Sequence, residues 1–208
     1  MRPDLVVRGG YIVDGSGRPG FEADVAVVGD RIAGIGRYDG PAGEVIDARD
    51  KLVTPGFIDI HTHLDAQITW DALGAPSCYH GVTSVVMGNC GVGFAPCRAA
   101  DRDYLMFLME GVEDVPRAAM AAGIPWAWES FPEYYRFLDS TPLGLNVGAH
   151  VGHCALRIHA MGERGATEEP AGPDDIAAMQ ASLRDAMAAG ALGVSTSRTT
   201  GHKTPAGD

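Results

Sequence analysis

Short apolar runs, broken every few residues by Gly, Asp or Pro, fill the first quarter of the chain. Residues 4–13 (DLVVRGGYIV), 24–36 (DVAVVGDRIAGIG) and 44–53 (EVIDARDKLV) are rich in Val and Ile, and this spacing predicts strands and hairpins. Gly15-Ser16-Gly17-Arg18-Pro19-Gly20 reads as a loop, and Gly29-Asp30, between two apolar runs, as a tight turn. So few strands cannot bury both faces of a sheet, so this β-unit is expected to pack on something else.

After Pro55-Gly56 the rhythm changes. Strands are expected over 57–63, 83–87, 145–151 and 191–195, with helical segments between them. Residues 101–122 place Leu105, Leu108, Met109 and Val112 on one helical stripe. Residues 173–190 open with Pro173 and two aspartates and close on Gly190, which predicts a helix with Ile176, Met179, Leu183 and Met187 on its buried face. Alternating strands and helices imply parallel βα units joined by right-handed crossovers. A closed eight-stranded barrel takes about 250 residues and about 150 remain after residue 55, so the alternatives are a small open α/β sheet or the front of a barrel. Residues 199–208 read as an active-face loop stopping in mid-course, which favours the barrel front and a truncated sequence.

The chemistry concentrates at two predicted strand ends. In Phe57-Ile58-Asp59-Ile60-His61-Thr62-His63, residues two apart share a face, so His61 and His63 can reach one metal ion, as zinc-type sites require. Two histidines that simply cap a strand would look the same. Asp59, deeper on that face, reads as a hydrogen-bond partner or a further ligand. The next strand ends in Met87-Gly88-Asn89-Cys90-Gly91-Val92-Gly93, and Cys90 follows His63 by 27 residues, the length of a loop and crossover to a neighbouring parallel strand. Cys90 is then either a soft metal ligand beside the imidazoles or a small buried hydrophobe. His150 and His153 flank the end of the third strand, where either could line a pocket or serve the scaffold. Ser195-Thr196-Ser197-Arg198 ends the fourth strand among polar groups, but no G-x-S-x-G elbow marks a serine nucleophile. Trp126, Trp128, Phe131, Tyr134, Tyr135 and Phe137 read as core, and Cys78, Cys97 and Cys154 as packing residues.

Composition narrows the function classes. With 16 Lys+Arg against 27 Asp+Glu the net charge is −11, which argues against a nucleic acid partner. The apolar stretches are far shorter than the ~20 residues of a membrane span, and no secretory leader pattern opens the chain. Four cysteines without a CxxC pair fit reduced thiols, and a cytoplasmic location is expected.

The runs GGYIVDGSGRPGFEADVAVVGDRIAGIG, VTPGFIDIHTHLD, HGVTSVVMGNCGVGFAPCR, EGVEDVP, WESFPEYY and GALGVSTSRT together resemble the N-acyl-D-amino-acid deacylases (D-aminoacylases) of the amidohydrolase superfamily. GNCGVGFAPC is the most specific of them. The resemblance covers essentially the whole chain. It implies a metal-dependent (β/α)8 barrel with a β-sandwich, of which residues 1–54 would be the sandwich portion and 55–208 an incomplete barrel of about four βα units. It implies zinc, one or two ions in the complete enzyme, with His61, His63 and Cys90 as metal ligands. Cys90 would replace the bridging carbamylated lysine common in relatives. Composition agrees with that replacement: the two lysines, Lys51 and Lys203, fall before the first barrel strand and beyond the fourth. It further implies two later histidines and a general-base aspartate beyond Asp208, so that the 208-residue chain alone would be inactive. Where the family pattern has Pro-His-Gly, this chain has Gly152-His153-Cys154, and His153 alone matches, as a substrate-contact candidate. The implied reaction is hydrolysis of the amide bond of a small-molecule N-acyl-D-amino acid to a carboxylic acid and a D-amino acid. A hydantoin or dihydropyrimidine hydrolase on the same barrel is the first rival, against which Cys90 speaks, and a non-catalytic fragment is the second.

Overall fold

The structure, a computed structural model, describes residues 2–198. The predicted loop over 199–208, with Lys203, lies outside the described residues. Contacts divide the chain into two compact units, Met1–Gly56 and Phe57–Asp208.

The first unit is a five-stranded mixed sheet of β1 (Leu5–Ile12), β2 (Phe21–Val28), β3 (Arg31–Gly36), β4 (Glu44–Asp47) and β5 (Leu52–Val53). Its order is β3-β2-β1-β4, with β5 also pairing β1. β1, β2 and β3 form antiparallel pairs, while β4 and β5 run parallel to β1. Gly29, at φ +58, supplies the left-handed residue that turns β2 into β3. Val6, Ile12 and Val25 are buried whereas Ile32, Ile35, Val45 and Ile46 are exposed, as expected of a single sheet with too few layers to cover both faces.

The second unit contains β6 (Phe57–Asp59), β7 (Val82–Met87), α1 (Arg102–Glu113), α2 (Arg117–Gly123), α3 (Phe131–Ser140), β8 (Asn146–Gly152), α4 (His153–Met161), α5 (Pro173–Ala188) and β9 (Gly193–Ser195). The four strands are parallel and ordered β6-β7-β8-β9, a partial (β/α)-barrel array. Val85, Met87, Leu105, Met109, Phe131 and Val151 form the heart of its core.

Several local expectations are corrected. The first barrel strand stops at Asp59 rather than running to His63. Asp59 Oδ1 accepts the His61 N–H at 3.1 Å, a local side-chain bond that takes the place of a ladder bond. The helix expected over 101–122 is two helices. Pro116 has no N–H to donate and disfavours helical backbone at Val115, and Asp114 turns to φ +55. The buried face of α5 is centred on Met179, Leu183 and Ala186, so Ile176 and Met187 stay exposed at its edge. The β6–β7 crossover holds only short 3-10 turns. Helices α3 and α4 lie in stretches that periodicity leaves unassigned. α3 starts at a capping box, Ser130 with Glu133, and carries Pro132 in its first turn, where a missing N–H costs nothing.

The aromatic cluster is core, as its composition suggests. Trp128, Phe131 and Tyr134 are buried, with Trp126, Tyr135 and Phe137 packed against them. Their polar atoms find backbone partners: Trp128 Nε1 donates to Phe94 O at 2.8 Å and Tyr134 Oη to Asp65 O at 3.0 Å. Those partners belong to the loops that follow Cys90 and His63, so the aromatic wall anchors both loops. Cys97 is fully buried, and Cys78 and Cys154 are partly buried against the same core.

Candidate metal centre

His61 and His63 lie just past the end of β6, on a segment clamped to β7 through Thr62. The Thr62 N–H donates to Val86 O at 3.0 Å and its hydroxyl donates to the same oxygen at 2.9 Å. This places the two imidazoles on either side of a pinned residue, their ring centroids 5.7 Å apart at 64°.

Cys90 lies in a 3-10 turn, Asn89–Gly91, directly after β7. Its backbone is left-handed at φ 57, flanked by Gly88 at φ +68 and Gly91 at φ +84. Such a conformation is strained for a residue with a Cβ and persists where surroundings enforce it. Here three side chains do so. Buried Asn89 donates from Nδ2 to Val86 O at 2.9 Å and to Thr62 O at 3.3 Å, tying the cysteine turn to the histidine segment. Ser195 at the end of β9 accepts the Gly91 N–H at 2.9 Å and donates to Gly88 O. Ser197 donates to Cys90 O at 2.8 Å. Gly88 can be nothing larger, because a Cβ there would run into His150 O, closer than real Cβ atoms approach.

The outcome is a convergence of His61, His63 and Cys90, each offering one donor atom, all within 4.8 Å of one another. His61 Nε2 and Cys90 Sγ are 3.1 Å apart, a separation compatible with two ligands of one ion at bonds of about 2.0–2.3 Å. Burial and then the negative charge of Glu113 push the Cys90 thiol up, so a cation would have to displace its proton. Two imidazoles and a thiol are a donor set that suits a zinc-like ion.

Asp65, Asn89, Ser195, Ser197 and Glu113 support this arrangement, and sequence reasoning assigns none of them that role. Asp65 is buried, and the backbone N–H groups of Asp65 itself and of Gly88 favour its ionised form. Burial raises its carboxyl to about 7, and its Oδ2 has no hydrogen-bond partner among the described residues. The motifs HTHLD and GNCG contain Asp65 and Asn89 and are the available signal, but hydrogen bonds between loops leave no periodicity. Ser195 is not poised as a nucleophile, since its hydroxyl is engaged with the turn on both sides. Asp59 serves the His61 backbone rather than the donor cluster. His153 is the first residue of α4, exposed, and is not part of the cluster. Partial desolvation of its ring and then nearby Arg157 lower its imidazole below the usual range.

Residues 44–206 match the amidohydrolase family, and the chain belongs to that family. Among its relatives, the D-aminoacylase of Alcaligenes xylosoxydans xylosoxydans is 39% identical over 196 residues, which cover 93% of this chain and 37% of that relative. A crystal structure of D-aminoacylase superposes with a TM-score of 0.77 at 37% identity, covering 93% of this chain and 38% of that one. The N-acyl-D-glutamate deacylase from Bordetella bronchiseptica, solved with zinc and a phosphonate inhibitor that mimics the tetrahedral intermediate, gives a TM-score of 0.77 at 34% identity, covering 94% and 38%. The chain therefore spans little more than a third of the length of these relatives.

Proposed function

We propose that this chain supplies the first metal-binding portion of a zinc-dependent amide hydrolase acting on N-acyl-D-amino acids. The observation that carries the reading is the meeting of His61, His63 and Cys90 at two adjacent parallel strand ends. The three side chains would hold the ion. When bound, zinc polarises an amide carbonyl and lowers the pKa of water toward neutrality. The chain's own residues prepare for it: the Asn89, Ser195 and Ser197 bonds hold the sulfur in place, and Thr62 holds the imidazoles opposite. His153, just past the end of β8, is our candidate for contact with the substrate. The general base is expected from an aspartate outside residues 1–208, so the whole protein's deacylation is the proposal and metal binding is this chain's share. We place residues 1–54 in a β-sandwich and the chain in the cytoplasm. All four cysteines are free, which supports a reducing location, and no described helix is long and apolar enough to cross a membrane.

The test is a chimera in which residues 2–198 replace the matching portion of the Alcaligenes D-aminoacylase, assayed on N-acetyl-D-methionine, N-acetyl-L-methionine and hydantoin. Hydrolysis of the D-amide alone is expected. Opening of hydantoin, or equal hydrolysis of the L-amide, would overturn the substrate reading.

A further inference from the structure

Glu113 is placed where helix electrostatics disfavour it. It is the last residue of α1, at the negative end of the helix dipole, and that final turn contains no basic residue. Its neighbour Glu110 has a structural duty, accepting the Arg117 N–H at 2.9 Å where α1 gives way to α2. Glu113 instead faces the histidine segment. Its Oε1 lies 3.5 Å from His63 Nε2, and the imidazole is nearly buried while the carboxylate reaches it from the solvent side, with side-chain exposures of 9% and 36%. The left-handed turn at Asp114 ends the helix at this residue and sets where Glu113 stands. A residue that breaks a local rule without a structural return is expected at a functional site.

We infer that Glu113 is a positioning residue for His63: its carboxylate faces a ring nitrogen and fixes the orientation and tautomer in which the imidazole binds metal. Carboxylates in this relation to a ligating histidine strengthen metal binding, and their loss weakens it by about 10–100-fold. The inference rests on the metal reading of the His61, His63 and Cys90 cluster.

The experiment compares wild type, Glu113→Ala, Glu113→Gln and Glu110→Ala by chelator competition for zinc and by imidazole nitrogen NMR of the metal-free chain at one pH. Glu113→Ala is expected to lose about 10–100-fold in zinc affinity and to redistribute the His63 tautomers, with Glu113→Gln, which keeps an acceptor oxygen, in between. Glu110→Ala should leave both readouts at wild type. Unchanged affinity and unchanged His63 signals in Glu113→Ala would overturn the inference, as would an equal loss in Glu110→Ala. Failure of wild type to take up zinc would instead overturn the metal reading, and the nitrogen signals would still decide whether Glu113 orients His63.

Discussion

The two strand ends that meet at the candidate centre are built differently. Beyond β6 the histidine segment is held to β7 through the N–H and hydroxyl of one residue, Thr62, and His61 between Asp59 and Thr62 is exposed. Beyond β7 the cysteine turn is locked by Asn89, Ser195 and Ser197, on a backbone with three left-handed residues in four positions. The sulfur is preorganised, the His63 ring is nearly enclosed and faced by Glu113, and the His61 ring is left exposed. That division suits a site in which the thiol must give up a proton and stay in place while the exposed ring adjusts around an ion.

The largest expected effect comes from breaking the rigid end. Gly88→Ala must accommodate a Cβ driven into His150 O at φ +68, and should lose about 3 kcal/mol or more of stability, measured as a shifted urea midpoint. A wild-type midpoint would mean the turn is looser than described. Asn89→Ala removes the buried amide that links the two ends and leaves Thr62 O without that donor. A loss of about 2 kcal/mol is expected, together with weaker zinc binding. Thr62→Val probes the other end. Val86 O keeps the Thr62 N–H and the Asn89 amide as donors, so this change should cost less than about 1 kcal/mol. A larger loss for Thr62→Val than for Asn89→Ala would reverse the proposed asymmetry.

The smallest effect is a pH effect at α3, whose Tyr134 supports the histidine loop. The backbone N–H groups of Ser130 and Glu129 hold the Glu133 carboxyl down to about 2, against 4.5 for an ordinary glutamate. The folded state therefore favours the ionised form, so this contribution is present above about pH 4.5 and is lost as pH falls toward about 2. The side chain is 42% exposed and solvent screens it, so the contribution is under about 1 kcal/mol. Glu133→Gln should lower the urea midpoint at about pH 6 and leave it nearly unchanged at about pH 2; equal lowering at both would contradict the assignment.

Much of this arrangement is legible in the sequence because it follows local rules. The turn at Gly29-Asp30, the α1 stripe and the parallel order of the last four strands follow from spacing and turn chemistry. Strand-end positions and the length of the crossover leave Cys90 open between a metal ligand and a buried hydrophobe, so its meeting with His61 and His63 is legible chiefly through the family resemblance, and the alternation invoked for the histidines ends at Asp59. What is not legible depends on contacts between distant segments. Ser195 binds a turn more than a hundred residues earlier, and Asp65 is buried by loops whose paths only the fold sets. Helix α3 hides because its aromatic residues read equally well as strand or core, while its capping box is a short signal. The α1–α2 break is announced by Pro116, which a continuous apolar stripe outweighs.

The proposed centre requires one sulfur and two imidazole nitrogens to share a cation, and X-ray absorption at the zinc edge of the metal-loaded chain tests this directly. The expected spectrum contains one sulfur at about 2.3 Å and two imidazole nitrogens at about 2.0–2.1 Å, with the sulfur contribution gone in Cys90→Ala. A first shell of nitrogen and oxygen alone in the wild-type chain, or a sulfur signal that survives Cys90→Ala, would contradict it.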